Sequence, residues 1–352
     1  ACGHGGKILY QTGIMRGIQD RERMKNMSLG NWIMIRDFRW NPQPGKRSYR
    51  EGRRGIMESN TIELELRVQK RKRKDKLVLN AWCWLFMVIF YILFQGYPIV
   101  CSIVYSLLDW SGLTRTARFV GLSNYKELLT DKLFWNAFLN SIKYTVMIVP
   151  LELAVSLILA YLLNDEKLKG RGVYRTMYFI PVVTTASVVG IIMIFIMGVQ
   201  GPVNHILMSF HLLRKPINFL GNAAWAMPSL VLISLWKDCG TYMIYWLAGL
   251  QGISKDVYEA ATVDGANRVQ MFIHIVLPLI APVGGVIATL CVVNSLKVFD
   301  IVKTMTEGGP YYATDVIATY VYRSAFSSEI GMPRLGYASA AALFFGAVVI
   351  VV

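Results

Sequence analysis

From Leu77 to Leu108 the chain carries no charged side chain. A helix that crosses a bilayer needs about 20 mainly apolar residues, so this run is long enough to span with tilt. Its interior Gly96 and Pro98 are expected to kink it. Four more complete runs of this kind follow. They cover about Ala137–Leu163, with Lys143 and Glu152 inside; Met177–Met197; Ala224–Leu250, interrupted by Lys237-Asp238; and Leu279–Val302, closing on Lys297 and Asp300. A sixth starts near Leu335 and runs to the last residue without completing a span. The predicted class is an all-α membrane protein.

Charge supports a bilayer rather than nucleic acid as the surroundings. Only 17% of residues are charged and 54% are hydrophobic, whereas soluble domains carry about 25% charged residues. The net charge is +15, but residues 1–56 hold 12 Lys/Arg against 4 Asp/Glu and so supply +8 of it. Most of the remainder flanks apolar runs. Arg67, Lys70, Arg71, Lys72, Arg73, Lys74 and Lys76 precede the first run. Positive flanks stay in the cytoplasm, which places the N-terminal side inside. A cleaved signal peptide has an apolar core of only about 7–15 residues, so an uncleaved anchor is preferred. Alternation then puts Asn164–Arg175 inside, with Lys167, Lys169, Arg171 and Arg175. Asp109–Trp135 falls outside, with Arg115, Arg118, Lys126 and Lys132 spread more thinly. The loop 251–278 falls inside.

Residues 1–56 show no sustained helical or strand period. Glu51-Gly52-Arg53-Arg54-Gly55-Ile56 precedes Met57 in the manner of a translated ribosome-binding site. Two readings stand for 1–56: upstream sequence read in frame, with the natural start at Met57, or a disordered basic tail. Residues 57–76 form a basic cytoplasmic segment, 77–135 the first span with its outer loop, and 136–352 the remaining transmembrane body. Cys2, Cys83, Cys101, Cys239 and Cys291 are scattered, and His4, His205, His211 and His274 are isolated. Neither set has metal-ligand spacing, so packing is the expected role of the cysteines.

The inner loop 251–278 is the most informative segment. Ser254 is a good helix N-cap, and Ile253 and Tyr258 sit where a hydrophobic staple closes. Gly265 suits the left-handed residue that ends a helix. A short helix is predicted over about Lys255–Asp264, followed by a second helical stretch leading to Pro278. Ala260 and Ala261 leave one side slim for the approach of another surface, and Glu259 offers a carboxylate to a basic or N–H partner.

Glu259-Ala260-Ala261, three residues, Gly265, nine residues, then Ile275-x-Leu277-Pro278 resembles the EAA loop of permeases in bacterial binding-protein-dependent ABC importers. The resemblance covers about residues 77–352. Pro98 with Ser102, Ser106 and Asp109-Trp110 is similar to the first span of the carbohydrate branch, as is Phe119-Val120-Gly121-Leu122-Ser123-Asn124-Tyr125 to its outer loop. Phe299-Asp300 with Thr306-Glu307-Gly308-Gly309-Pro310 resembles the maltose-type larger permease subunit. This implies a six-helix type I importer transmembrane domain, with the N-terminus inside and the last helix truncated in this chain. It also implies that Glu259, Ala260, Ala261, Asp264, Gly265, Ile275, Leu277 and Pro278 couple the spans to an ATPase. The implied partners are ABC ATPase subunits, a second related permease, an extracytoplasmic solute-binding protein, the lipid bilayer and a sugar, with no nucleic acid. The implied location is a bacterial cell membrane.

The chain has no G-x-x-x-x-G-K-[ST], so ATP is expected on a partner and no cofactor on this chain. No nucleophile–base set suggests an enzyme. Polar groups inside spans are costly and tend to face a cavity or a partner. Glu152, Lys237, Asp238, Asn294, Ser295, Lys297 and Asp300 are therefore candidates for a sugar passage, with Trp236, Tyr242 and Phe299 as stacking surfaces. Asn294 and Ser295 lead this set. Mutual pairing or a position near the interface is the competing reading for Lys237, Asp238 and Lys297. At the level of function, an ion-driven secondary transporter explains the spans but not the EAA spacing. A non-transporting scaffold or sensor predicts no ATPase partner. Glycerol phosphate is the alternative cargo.

Overall fold

A computed structural model describes residues 70, 76, 80–165, 168–327 and 332–351. The segment 1–56, with its expected start at Met57, and nearly all of 57–76 lie outside the described residues. The chain divides into two units, Ala1–Met87 and Val88–Val352. Within the first unit, 80–87 is helical.

The fold is helical. α1 covers Asn80–Ser106. A two-stranded antiparallel ribbon follows, pairing β1 (Leu108–Asp109) with β2 (Arg118–Phe119). Then come α2 (Ser123–Thr130), α3 (Lys132–Asn164), α4 (Arg171–Val183), α5 (Ala186–Ile196), α6 (Pro202–Ser209), α7 (Ala223–Leu250) and α8 (Lys255–Val263). The chain ends with α9 (Leu277–Leu296), α10 (Asp300–Met305), α11 (Ile317–Phe326) and α12 (Leu335–Val351). Among the described residues, Asn80–Ser106, Lys132–Asn164 and Arg268–Met305 are long and apolar enough to cross a membrane, and the bent pair α4–α5 makes a fourth if counted as one span. α7 has 28 residues, about 42 Å at 1.5 Å per residue. Half of it is buried against α3, α4, α9 and α10, so its more polar sequence meets protein rather than lipid.

Three expected spans differ from the structure in detail. Met177–Met197 is not one helix: α4 and α5 meet at 97°. Pro181 removes an N–H from the ladder, and Thr184 and Thr185 are both extended. Lys237-Asp238 does not interrupt α7. The two side chains pair at 2.8 Å, so the helix carries them without an uncompensated charge. The fifth span ends at Leu296 rather than Val302, because 297–299 breaks it before α10.

Two prolines shape their helices in the same way. Pro98 follows a π-helical turn at Ile92–Gly96, where the Tyr97 N–H reaches Ile92 O. Pro278 follows another at Met271–Val276, where the Leu277 N–H reaches Phe272 O. A proline inside a helix clashes with the carbonyl four residues back. One widened turn takes up that conflict while the helix continues.

α3 and α7 form the centre, with α9 against both. Their inner halves share a core of Leu157, Ala160, Leu163, Trp246, Leu250, Val276 and Ile280. At the outer end Phe134, Ala137, Tyr320, Tyr337 and Phe345 join α3, α11 and α12. Lipid tails are as apolar as leucine, so close packing holds such helices together. Gly240 illustrates this: a Cβ there would lie 2.3 Å from the Tyr178 carbonyl oxygen, so only glycine lets α4 lie on α7.

Candidate functional site

A cavity of about 170 Å3 opens between α3, α7 and the break after α9. Tyr144, Ile148 and Glu152 line it at four-residue steps along α3, and Ser234, Asp238 and Tyr242 do the same along α7. Four-residue steps share one helix face. Ile148 is the central residue of α3, which places the cavity near mid-span. Asn294, Ser295, Lys297, Phe299 and Asp300 close the third side, and Ala186 at the start of α5 also lines it. The turn 297–299 is what swings Phe299 and Asp300 onto this cavity.

Hydrogen bonds fix the lining. The Asn294 amide donates to the Tyr242 hydroxyl at 3.2 Å. The Ser295 hydroxyl donates to Thr145 Oγ1 at 3.0 Å. Cys291 Sγ donates to Glu152 Oε2 at 3.3 Å, and Lys237 pairs with Asp238. Of the residues singled out from sequence, Asn294, Ser295, Phe299, Asp300 and Tyr242 come together here, with Glu152, Lys237, Asp238 and Lys297. Trp236 does not line this cavity and is 48% exposed. It is one residue from Lys237, and one step around a helix is about 100°. Sequence reasoning missed Tyr144 and Ser234, although each lies a multiple of four from Glu152 or Asp238.

In the loop 251–278, α8 is the expected short helix, one residue shorter than predicted. Ser254 has the extended conformation of an N-cap, but its hydroxyl makes no capping bond. The C-terminus is a full Schellman motif: Gly265 has φ +79, its N–H reaches Thr262 O at 3.1 Å, and the Ala266 N–H reaches Ala261 O at 3.0 Å. Asn267 and Gln270 then form a reciprocal capping box that starts the next helical stretch. The two alanines do not share a face. Ala261 is buried, whereas Glu259, Ala260 and Gly265 are exposed, with Val263 87% exposed. Ile253 and Tyr258, with Met271 and Phe272 beyond, pack on the inner core. That same core includes Tyr242 and Cys291 beside the cavity. Ile275 is half-buried, and Leu277 and Pro278 are exposed at the start of α9.

A mid-span polar cavity inside a bundle of apolar helices, with a short helix braced against the bundle at one end, fits a multi-pass membrane permease. Residues 135–352 match the family described as binding-protein-dependent transport system inner membrane component, and the chain belongs to that family. It is 33% identical over 263 residues to the probable ABC transporter permease protein YurN of Bacillus subtilis, covering 74% of this chain and 89% of the relative. It is also 33% identical over 263 residues to the lactose transport system permease protein LacF of Rhizobium radiobacter, covering 74% and 87%. The fold is similar to a chain in the crystal structure of a bacterial alginate ABC transporter in complex with an alginate pentasaccharide-bound periplasmic protein. That match has a TM-score of 0.68 and 26% identity, covering 79% of this chain and 92% of that one. The protein is thus the permease component of an ABC importer that works with a separate binding protein. It is a transport subunit and not an enzyme; hydrolysis of ATP falls to another chain.

Proposed function

We propose that this chain forms one wall of the passage by which an uncharged carbohydrate crosses a bacterial cell membrane, and that an ABC ATPase drives it through α8. The observation that carries the cargo class is the lining of the mid-span cavity. It presents amide, hydroxyl and phenol groups together with two cations, Lys237 and Lys297, and three carboxyls, Glu152, Asp238 and Asp300. No surplus of positive charge is available for an anion, which argues against glycerol phosphate. Sugar hydroxyls find both donors and acceptors there. Relatives named for lactose and arabinooligosaccharide transport support the same class.

The cavity of about 170 Å3 is below the usual ~300–1,000 Å3 of a ligand pocket, which favours a second, related permease as the opposite wall. A binding protein delivers sugar at the outer face. Glu259, Ala260, Val263 and Gly265 present the ATPase-facing surface of α8. Tyr258 and Ile253 tie the opposite face of the helix to the core that reaches Tyr242, so closure of the ATPase pair shifts the spans as one body. In this reading ATP binds the partner subunits.

The test is uptake by proteoliposomes holding the complete complex. Uptake of labelled neutral di- and trisaccharides is expected to require internal ATP and to survive collapse of ion gradients. Uptake that follows an ion gradient without ATP would sink the reading.

A further inference from the structure

Beyond the mid-span cavity, a larger chamber of about 400 Å3 opens on the outer side between α10, the loop 306–316 and α11. Its size falls within the ~300–1,000 Å3 typical of ligand sites. Its outer position follows from its anchors: Asn136 and Asn140, near the outer end of α3, donate to Tyr312 O at 2.8 and 3.0 Å.

The lining combines tyrosine rings with paired charges. Tyr311, Tyr312 and Tyr322 line it with Thr306 and Thr319. Lys303 faces Glu307 at 3.7 Å and Arg323 faces Asp315 at 2.5 Å. Each of these cations is already matched, so no excess charge awaits a uronate or a phosphate. The Arg323 guanidinium lies over the Tyr312 ring at 4.8 Å, and its buried Nε has no hydrogen-bond partner. Tyr311 is 96% exposed, and both it and Tyr312 hold left-handed backbone, with φ 50 and 59. Residues with a Cβ rarely adopt that region unless the surroundings impose it. The asparagine anchors and the Arg323 stack hold Tyr312 there, and Tyr311 beside it also lines the chamber.

Only a thin partition separates this chamber from the inner cavity. Asp300 and Ile301 of α10 line the inner side, and Lys303 of the same helix lines the outer side. Phe299, which lines the inner cavity, packs at a tilt against Tyr322 of the chamber, with ring centroids 5.3 Å apart.

We propose that the chamber around Lys303, Thr306, Tyr311, Tyr312, Tyr322 and Arg323 is a second, outer sugar-binding station. It takes one uncharged sugar ring before the ring passes the Phe299–Tyr322 partition. The inference rests on the carbohydrate reading above.

The complete transporter in proteoliposomes, supplied with its loaded binding protein, tests it with labelled neutral di- and trisaccharides as probes. Tyr311→Ala and Lys303→Gln are expected to raise the KM for uptake about five- to tenfold, the loss of one ring or one donor from a site, with maximal rate unchanged. Tyr311→Trp, which keeps the ring, is expected to restore the KM. Wild-type KM in both variants overturns the station, as does a fall in maximal rate alone. A weaker affinity of the sugar-free binding protein for the Tyr311→Ala complex also overturns it, because that result makes the surface a protein-docking site. No uptake of any neutral saccharide by the wild-type complex instead removes the carbohydrate reading on which the station rests.

Discussion

Asn294 on α9 donates its amide to the hydroxyl of Tyr242 on α7 at 3.2 Å, and both line the mid-span cavity. The bond ties the polar wall of the cavity to the apolar core below it, of which Tyr242 is a member. Asn294→Leu deletes a group offered to cargo and leaves the phenol without its donor. A lost bond of this kind costs about 1–2 kcal/mol inside a membrane bundle, so uptake is expected to fall about tenfold while the amount of inserted protein stays constant. Trp236→Ala, outside the cavity, is expected to transport like wild type. Equal losses in the two variants, read by labelled-sugar uptake against immunoblotted protein, would exclude the cavity as the passage.

Gly265 holds φ +79 with open space where a Cβ would be added. Gly265→Ala therefore acts through backbone strain alone, about 1–2 kcal/mol, and disturbs the end of α8. Uptake is expected to drop severalfold and ATP hydrolysis to lose its stimulation by loaded binding protein. Gly265→Asn, which tolerates left-handed backbone, is expected to recover most of both. Phosphate release and uptake measured on the same proteoliposomes decide the matter.

Gly240 tests the packing of the broken span. Its Cβ would meet the Tyr178 carbonyl at 2.3 Å and Val182 at 3.0 Å. The backbone cannot yield as a flexible side chain does, so Gly240→Ala is expected to cost about 1–3 kcal/mol. The expected readout is a lower Tm in detergent together with reduced uptake. An unchanged Tm would mean that α4 does not rest on α7 as described.

Asp131 caps α3 from outside the spans. Its Oδ1 accepts from the Leu133 N–H at 2.8 Å, and its Oδ2 accepts from the Tyr337 hydroxyl at 2.8 Å and from Tyr320. Burial pushes its carboxyl up, but the bonds from Tyr320, Tyr337 and the Leu133 and Phe134 N–H groups outweigh that and hold it below the usual range. A depressed carboxyl stabilises the folded state above its unfolded value, near pH 4. That contribution disappears as pH falls through the folded value. Asn caps helices as well as Asp does, so Asp131→Asn is expected to keep the helix while flattening the loss of Tm between about pH 5 and pH 3. An unaltered acid slope, measured by thermal melts, would contradict this assignment.

What the residues alone determined is local in origin. The uncharged run from Leu77 to Leu108 is long and apolar enough to span a bilayer on its sequence alone. Gly265 ends α8, because a left-handed cap is decided within a few residues of sequence; Ser254 marks the start by its extended backbone and not by a hydroxyl bond. Tertiary structure decided the rest. The break between α4 and α5 needed α7 and Gly240 to receive it. The cavity needed Tyr144, Asp238 and Asn294, far apart in the chain, to converge on one space. Which face of each span turns inward was unreadable at Trp236 because lipid and protein core favour the same apolar side chains. The rotation of a helix about its axis is then settled only by the neighbours it packs against.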